Sequence, residues 1–135
     1  MIADGLAITI GYLRTHAALT DLNADVRTEL PADFNRPTVK VLQLNADDRS
    51  ESTDHLIAYH LQFDCYAQSK GPTPGTGQAS LLVRTVRAAL KEMPRADLDV
   101  VVKNVTFGVC PQLPDDAWDP PRQRFSLEAW IYAHV

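Results

Sequence analysis

Cysteine is nearly absent from this chain of 135 residues. There are two, Cys65 and Cys110, with no CxxC spacing. A disulfide-stapled domain of this length needs a denser framework, so both are read as free thiols in a reducing compartment. Long apolar runs are missing too. No window approaches the ~18 consecutive apolar residues of a membrane span, and the opening Met-Ile-Ala-Asp-Gly has no basic segment before an apolar one. Neither a transmembrane helix nor a secretion signal is expected. Positive charge is in the minority: 13 Lys and Arg against 17 Asp and Glu give a net charge of −4. The basic residues are scattered, which disfavours a nucleic-acid surface. The four histidines, His16, His55, His60 and His134, show no i, i+4 pairing and no cysteine at ligand spacing. They therefore indicate neither a zinc site nor a catalytic base.

What is present is ordinary for a globular domain: 45% hydrophobic and 22% charged residues. The length fits one domain over residues 1–135 and can bury roughly two thirds of its unfolded surface, enough for a core without staples. Residues 3–14 read as a helix, with Asp4 as its cap and Leu6, Ile10 and Leu13 at i, i+4, i+7. A short helical piece follows over 16–22. Val26, Thr28 and Leu30 then alternate in a strand that stops at Pro31. Thr38–Asn45 is a strand with apolar residues on both faces, which suits an interior position. Residues 46–54 carry four acids and one arginine and read as a solvated loop.

Residues 55–66 alternate most cleanly, with Ile57, Tyr59, Leu61, Phe63 and Cys65 on one face. A helix over 78–92, with Thr76 as a possible cap, places Ala79, Leu82, Val83, Val86, Leu90 and Met93 on one stripe, and Pro94 ends it. In 98–109 the apolar residues change parity, which calls for a bulge or a second covered face. Residues 110–123 read as a Pro- and Asp-rich loop, and 124–135 as the last strand. The order is α-α-β-β-β-α-β-β. The simplest architecture is α+β, a single antiparallel (mixed) β-sheet with helices packed on one face.

Chemistry is hard to find. The loop Gly71-Pro-Thr-Pro-Gly-Thr-Gly77 sits where a phosphate loop would sit, but Gln78 and Ala79 follow it instead of Lys and Ser or Thr. Pro72 and Pro74 also remove two backbone donors, so a linker is the plainer reading. Asp47-Asp48 and Asp115-Asp116 are adjacent carboxylates in loops, able to hold a cation or simply to solvate a surface. His60 and Asp64 share a strand face and, with Tyr59, form the one cluster a ligand site could use. Trp118, in a polar loop, either tucks onto its own domain or anchors a partner. Trp130 and Tyr132 lie opposite the aliphatic face of the last strand, so that face is expected to be covered by a loop or another subunit.

Four stretches together resemble the tail terminator, or tail completion, proteins of long-tailed bacteriophages. They are Ala3-Asp-Gly-Leu-Ala-Ile-Thr-Ile-Gly-Tyr-Leu-Arg14 running on to Asp25-Val-Arg-Thr-Glu-Leu-Pro31; the strand Leu61-Gln-Phe-Asp-Cys-Tyr-Ala67; the helix Ala79–Met93; and the closing Arg124-Phe-Ser-Leu-Glu-Ala-Trp130. The likeness covers nearly the whole chain as a pattern, without a catalytic signature, and the insertions at 46–54 and 111–122 do not map residue by residue. It implies a structural virion protein, not an enzyme, with no cofactor or metal. It implies a homohexameric ring at the head-proximal end of the tail that stops tube polymerisation and offers a surface to the head-completion or neck protein. Genomic DNA would pass through the lumen without specific binding, no membrane would be involved, and the host cytoplasm would be the place of assembly.

Within that frame the expected subunit-interface residues are Arg84, Arg87, Trp130 and Tyr132, the arginines meeting a neighbour's acidic loops or merely solvating their helix with Lys91. Candidates for tube or neck contact are Asp47, Asp48, Arg49, Asp115, Asp116 and Trp118. The competing readings are a head-completion (stopper) neck protein, a small α+β enzyme or ligand-binding domain, and a monomeric interaction adaptor. The helix at 79–93 between strands and the strand that closes the chain favour the terminator over the stopper.

Overall fold

The computed structural model describes residues 4–30, 36–48, 56–66, 75–98, 100–108, 110, 112–115 and 122–134. Helices α1 (Gly5–Thr15) and α2 (Ala17–Asp21) lead into strand β1 (Asp25–Arg27). Strands β2 (Thr38–Asp48) and β3 (Leu56–Tyr66) follow, then helix α3 (Gly75–Glu92) with a 3-10 turn at Met93–Arg95. Strands β4 (Val101–Phe107), β5 (Gln112–Asp115) and β6 (Arg122–His134) complete the described fold. The six strands make one mixed sheet in the order β1-β2-β3-β6-β4, with β5 on β6. β1 runs parallel to β2 and every other pair is antiparallel.

β3 and β6 are paired throughout, from Leu56 opposite His134 to Tyr66 opposite Arg124. That register puts Ile57, Tyr59, Leu61, Phe63 and Cys65 on the same face as Ala133, Ile131, Ala129, Leu127 and Phe125. Val39 and Val41 of β2 join them, opposite Cys65 and Phe63. The helices cover this one face. All six residues of the expected α3 stripe are buried, with Ala89 added. On α1 the buried face is Gly5, Thr9, Ile10 and Leu13, while Leu6 is only half-buried and Ala7 exposed. The rotation follows from Gly5, whose missing Cβ lets the helix rest directly on the Tyr59 ring.

Local chemistry closes the helices. The Asp4 carboxylate accepts from Ala7 N at 3.0 Å, as an N-cap does. His16 caps α2 by accepting from Ala18 N at Nδ1, 3.2 Å, which leaves Nε2–H to donate to Glu92 of α3 at 2.8 Å. Tyr12 OH donates to Ala89 O at 2.6 Å, so α1 is tied to α3 twice.

Several boundaries differ from the sequence expectation. β1 ends at Arg27 because only Asp25–Arg27 find partners, at Thr38–Lys40 of β2. β2 does not stop at Asn45: a bulge between Gln43 and Asn45 resets the register, and the ladder runs on to Asp48 opposite Ile57. α3 starts at Gly75, so Thr76 lies inside the helix instead of capping it. The expected loop at 110–123 contains β5 and the first residues of β6, Gln112 lying opposite Phe125 and Asp115 opposite Arg122. Backbone pairing along β6 overrides the loop-like composition, and Pro114 is tolerated on a strand at the sheet margin. The expected parity change in 98–109 is a bulge between Val102 and Asn104, which brings Val102, Val105 and Phe107 all to the helix face.

Two glycines of α1 make a matched test. Gly5→Ala would place a Cβ 2.4 Å from Tyr59 Cγ, and it is expected to cost about 1–3 kcal/mol as a lower urea midpoint. Gly11→Ala meets nothing within 4 Å. It is expected to be neutral or to stabilise by up to about 1 kcal/mol.

Candidate functional site

The helix-free face of the sheet carries a polar ladder along β3 and β6. Ser126 Oγ and Gln62 Nε2 donate to Asp64 Oδ1 at 2.8 and 2.9 Å. Arg124 Nη1 lies 3.5 Å from Asp64 Oδ2 and 3.3 Å from the Tyr66 hydroxyl. Asp64 is only 2% exposed, so these donors replace the water it has lost. Two rungs on, Glu128 meets His60 Nε2 at 3.4 Å, and the His60 ring stacks on Trp130 with centroids 4.2 Å apart and planes 10° apart. Gly108 makes room for that indole: a Cβ there would come within 3.1 Å of Trp130 Cζ3. Its N–H donates to Glu128 O at 2.9 Å. Trp130 and Tyr132 are thus half-buried on this face, held largely by their own sheet.

Arg84 and Arg87 lie on the opposite side of the sheet, exposed on α3. The four residues expected to share an interface therefore form two separate surfaces. Arg87 sits over the Phe107 ring at 5.0 Å, which orients its guanidinium, and Arg84 Nε donates to Ser80 O of its own helix at 3.3 Å. Between this flank of α3 and β6 is a cavity of about 240 Å³, lined by Ser80, Val83, Arg84, Arg87, Cys110, Phe125 and Leu127. Its floor is apolar and its rim cationic. A larger groove of about 490 Å³ runs between α1 and residues 96–98. The Tyr12 hydroxyl on its wall is already engaged by Ala89 O, and no set of polar groups converges there.

The cluster His60, Asp64 and Tyr59 does not exist as a site. Tyr59 points to the helix face, 3% exposed beneath Gly5, while His60 and Asp64 lie on the other face with Gln62 between them. Period-2 alternation in β3 already separates neighbours in this way. Among the described residues no group of three His, Cys, Asp or Glu could hold a metal, and no helix is long and apolar enough to cross a membrane. Asp47 and Asp48 end β2, opposite Ala58 and Ile57; Asp115 ends β5, opposite Arg122. Measured along β6 they stand at opposite ends of the sheet, eleven positions or about 36 Å apart. Arg49, Asp116 and Trp118 lie outside the described residues. Sequence reading missed the Asp64 ladder, although the alternation of Gln62 and Asp64 facing Ser126 and Glu128 was its only signal.

Comparison with known proteins yields a family model described as Tail completion protein gp17, which matches residues 10–132. No curated protein matches. Among solved structures, a chain from the virion of a native gene transfer agent particle superposes with a TM-score of 0.72 at 17% identity, covering 97% of this chain and 95% of that one. At that identity the likeness is one of fold.

Asp64→Ala is expected to cost about 3 kcal/mol in urea unfolding, because it strands the Arg124 guanidinium and two neutral donors. Asp64→Asn should cost less. The thiols give a second readout. Burial pushes the Cys65 thiol well up, with the nearby Cys110 and Asp64 adding to it. Burial also raises the Cys110 thiol, against the opposing pull of Arg87. One thiol, Cys110, is expected to react with a maleimide in the folded chain and two after unfolding. Its rate should rise roughly tenfold per pH unit below its pKa and fall in Arg87→Gln.

Proposed function

The chain belongs to the Tail completion protein gp17 family and is a structural protein of the bacteriophage tail; from that premise we propose that it is the tail terminator. Six copies close into a ring on the head-proximal end of the tail tube, stop its growth and offer the opposite surface to the neck. The protein acts by shape and contact, without catalysis or a cofactor, in the virion. It is a single-domain subunit.

The observation that carries this reading is that the family match spans residues 10–132, hence β1 to β5, all of α3 and β6 up to Tyr132. The layout supports it. A ring subunit needs a heterologous contact with each neighbour and two further surfaces for different partners. Asp47 and Asp48 end β2 at the end of the sheet away from Asp115, so a tube or neck contact through them stays clear of a second surface around β5. A net charge of −4 suits a lumen through which DNA must slide without adhering.

Negative-stain microscopy of the concentrated protein, with light scattering on the same sample, is expected to show six-fold rings with a central pore. Where the free chain is monomeric, its addition to polymerising tail tubes is expected to give capped tubes of limited length. A monomer that leaves tube growth unaffected sinks the terminator reading. Binding to filled heads without any effect on tubes would replace it with the stopper.

A further inference from the structure

We propose that the cavity between α3 and the start of β6 receives the acidic segment 113–121 of a second copy of this chain. The inference rests on the ring reading and adds which surfaces meet. The cavity asks for a particular occupant. Val83, Phe125 and Leu127 give it an apolar floor, and Arg84 and Arg87 give it two cations at the rim. Among the described residues neither arginine has a carboxylate partner, and Phe107 holds the Arg87 guanidinium in place at 5.0 Å. A segment that combines carboxylates with an apolar side chain fits both parts at once.

Runs such as 28–35 and 96–102 hold two carboxylates beside apolar residues without a cation, and one run of nine holds three. Residues 113–121, Leu-Pro-Asp-Asp-Ala-Trp-Asp-Pro-Pro, hold Asp115, Asp116 and Asp119 beside Leu113 and Trp118, with no lysine or arginine. The other acidic pair, Asp47-Asp48, is followed at once by Arg49, whose cation would oppose Arg84 and Arg87. Charge complementarity therefore selects residues 113–121.

The contact is between copies. In its own subunit β5 leads away from the cavity, from Gln112 opposite Phe125 to Asp115 opposite Arg122. Asp115 is thus five positions along β6 from Leu127, about 17 Å, and the chain must be back at Arg122 seven residues later. The ribbon also outruns its sheet. β3 ends at Tyr66 opposite Arg124, so at Arg122 and Gln123 only β5 and β6 pair among the described residues. A two-stranded ribbon is marginal in water, and a neighbour's apolar floor would add cover.

The test is a charge exchange in the full chain, made under the condition, free or on tubes, in which the unsubstituted protein forms rings. Three variants are compared with it: Arg84→Asp with Arg87→Asp, Asp115→Arg with Asp116→Arg, and all four together. Either pair alone is expected to lower the assembled fraction at least about tenfold, and the fourfold exchange to restore it to within about twofold. Cys110, at the cavity wall, should react about tenfold more slowly with a maleimide in the ring than in the subunit. Circular dichroism melts check the folding of each subunit, and Arg84→Gln with Arg87→Gln replaces any reversal that unfolds; it should also cut assembly. Full ring yield from the arginine variants overturns the docking and leaves the ring reading intact. So does a fourfold exchange no better than its parents, or equal Cys110 reactivity in ring and subunit. Absence of rings from the unsubstituted chain, free and on tubes, overturns the ring reading and the docking with it.

Discussion

The unbroken antiparallel register between β3 and β6 is the constraint on which the rest of the molecule depends. Because side chains alternate, one register decides two faces at once. A slip of one residue would send Phe63 and Leu61 into the polar ladder and Asp64 into the core. The match of Leu61, Phe63 and Cys65 with Ala129, Leu127 and Phe125 on one face, and of Gln62 and Asp64 with Glu128 and Ser126 on the other, makes every such slip costly. Other elements then take their places against this pair: β2 on one side, β4 and β5 in tandem on the other, and α1 and α3 across the apolar face.

Helices on one side only leave the second face to polar chemistry. Burial of Asp64 there is tolerated because Ser126, Gln62 and Arg124 surround it. Such a network is more sensitive to the loss of one member than a packed apolar face is, since each remaining group keeps its desolvation cost. Where the ladder reaches His60 and Trp130 it gives way to ring stacking, made possible by Gly108.

The lateral edges of the sheet are unlike each other, as the proposed head-to-tail ring requires. β1 is short and braced by arginines: Arg14 donates to Val26 O, and Arg36 to Asn23 O and Ala24 O. The opposite edge is formed by two strands in tandem, β4 to Phe107 and β5 from Gln112, carrying Lys103 and Pro114. Bulges, a lysine and a proline are devices that discourage indefinite strand addition. On the proposed function, a subunit that closes a ring and ends a polymer has reason to avoid an edge that could continue as a sheet. Side-chain docking into a cavity, by contrast, is limited to one neighbour.

Much of this was legible along the chain. Period-2 alternation in β3 and β6, the apolar stripe and Pro94 of α3, the Asp4 cap and the parity change in β4 are all local patterns, and local patterns need only the backbone's own geometry. The sequence by itself therefore determined the α+β class, the element order apart from β5, and which residues form the core. The fates of Asp47, Asp48 and Asp115 were not legible, because composition favours a loop there and only a partner strand makes the backbone extend. Nor was the split of Arg84 and Arg87 from Trp130 and Tyr132: both pairs look exposed along the chain, and only the side of the sheet that α3 occupies sets them apart. The separation of Tyr59 from His60 was readable from alternation alone, whereas the enclosure of Asp64 required β6 to bring Ser126 and Arg124 from sixty residues away. Contacts of that range depend on topology, and topology is chosen by burial of the whole apolar surface rather than by any one segment.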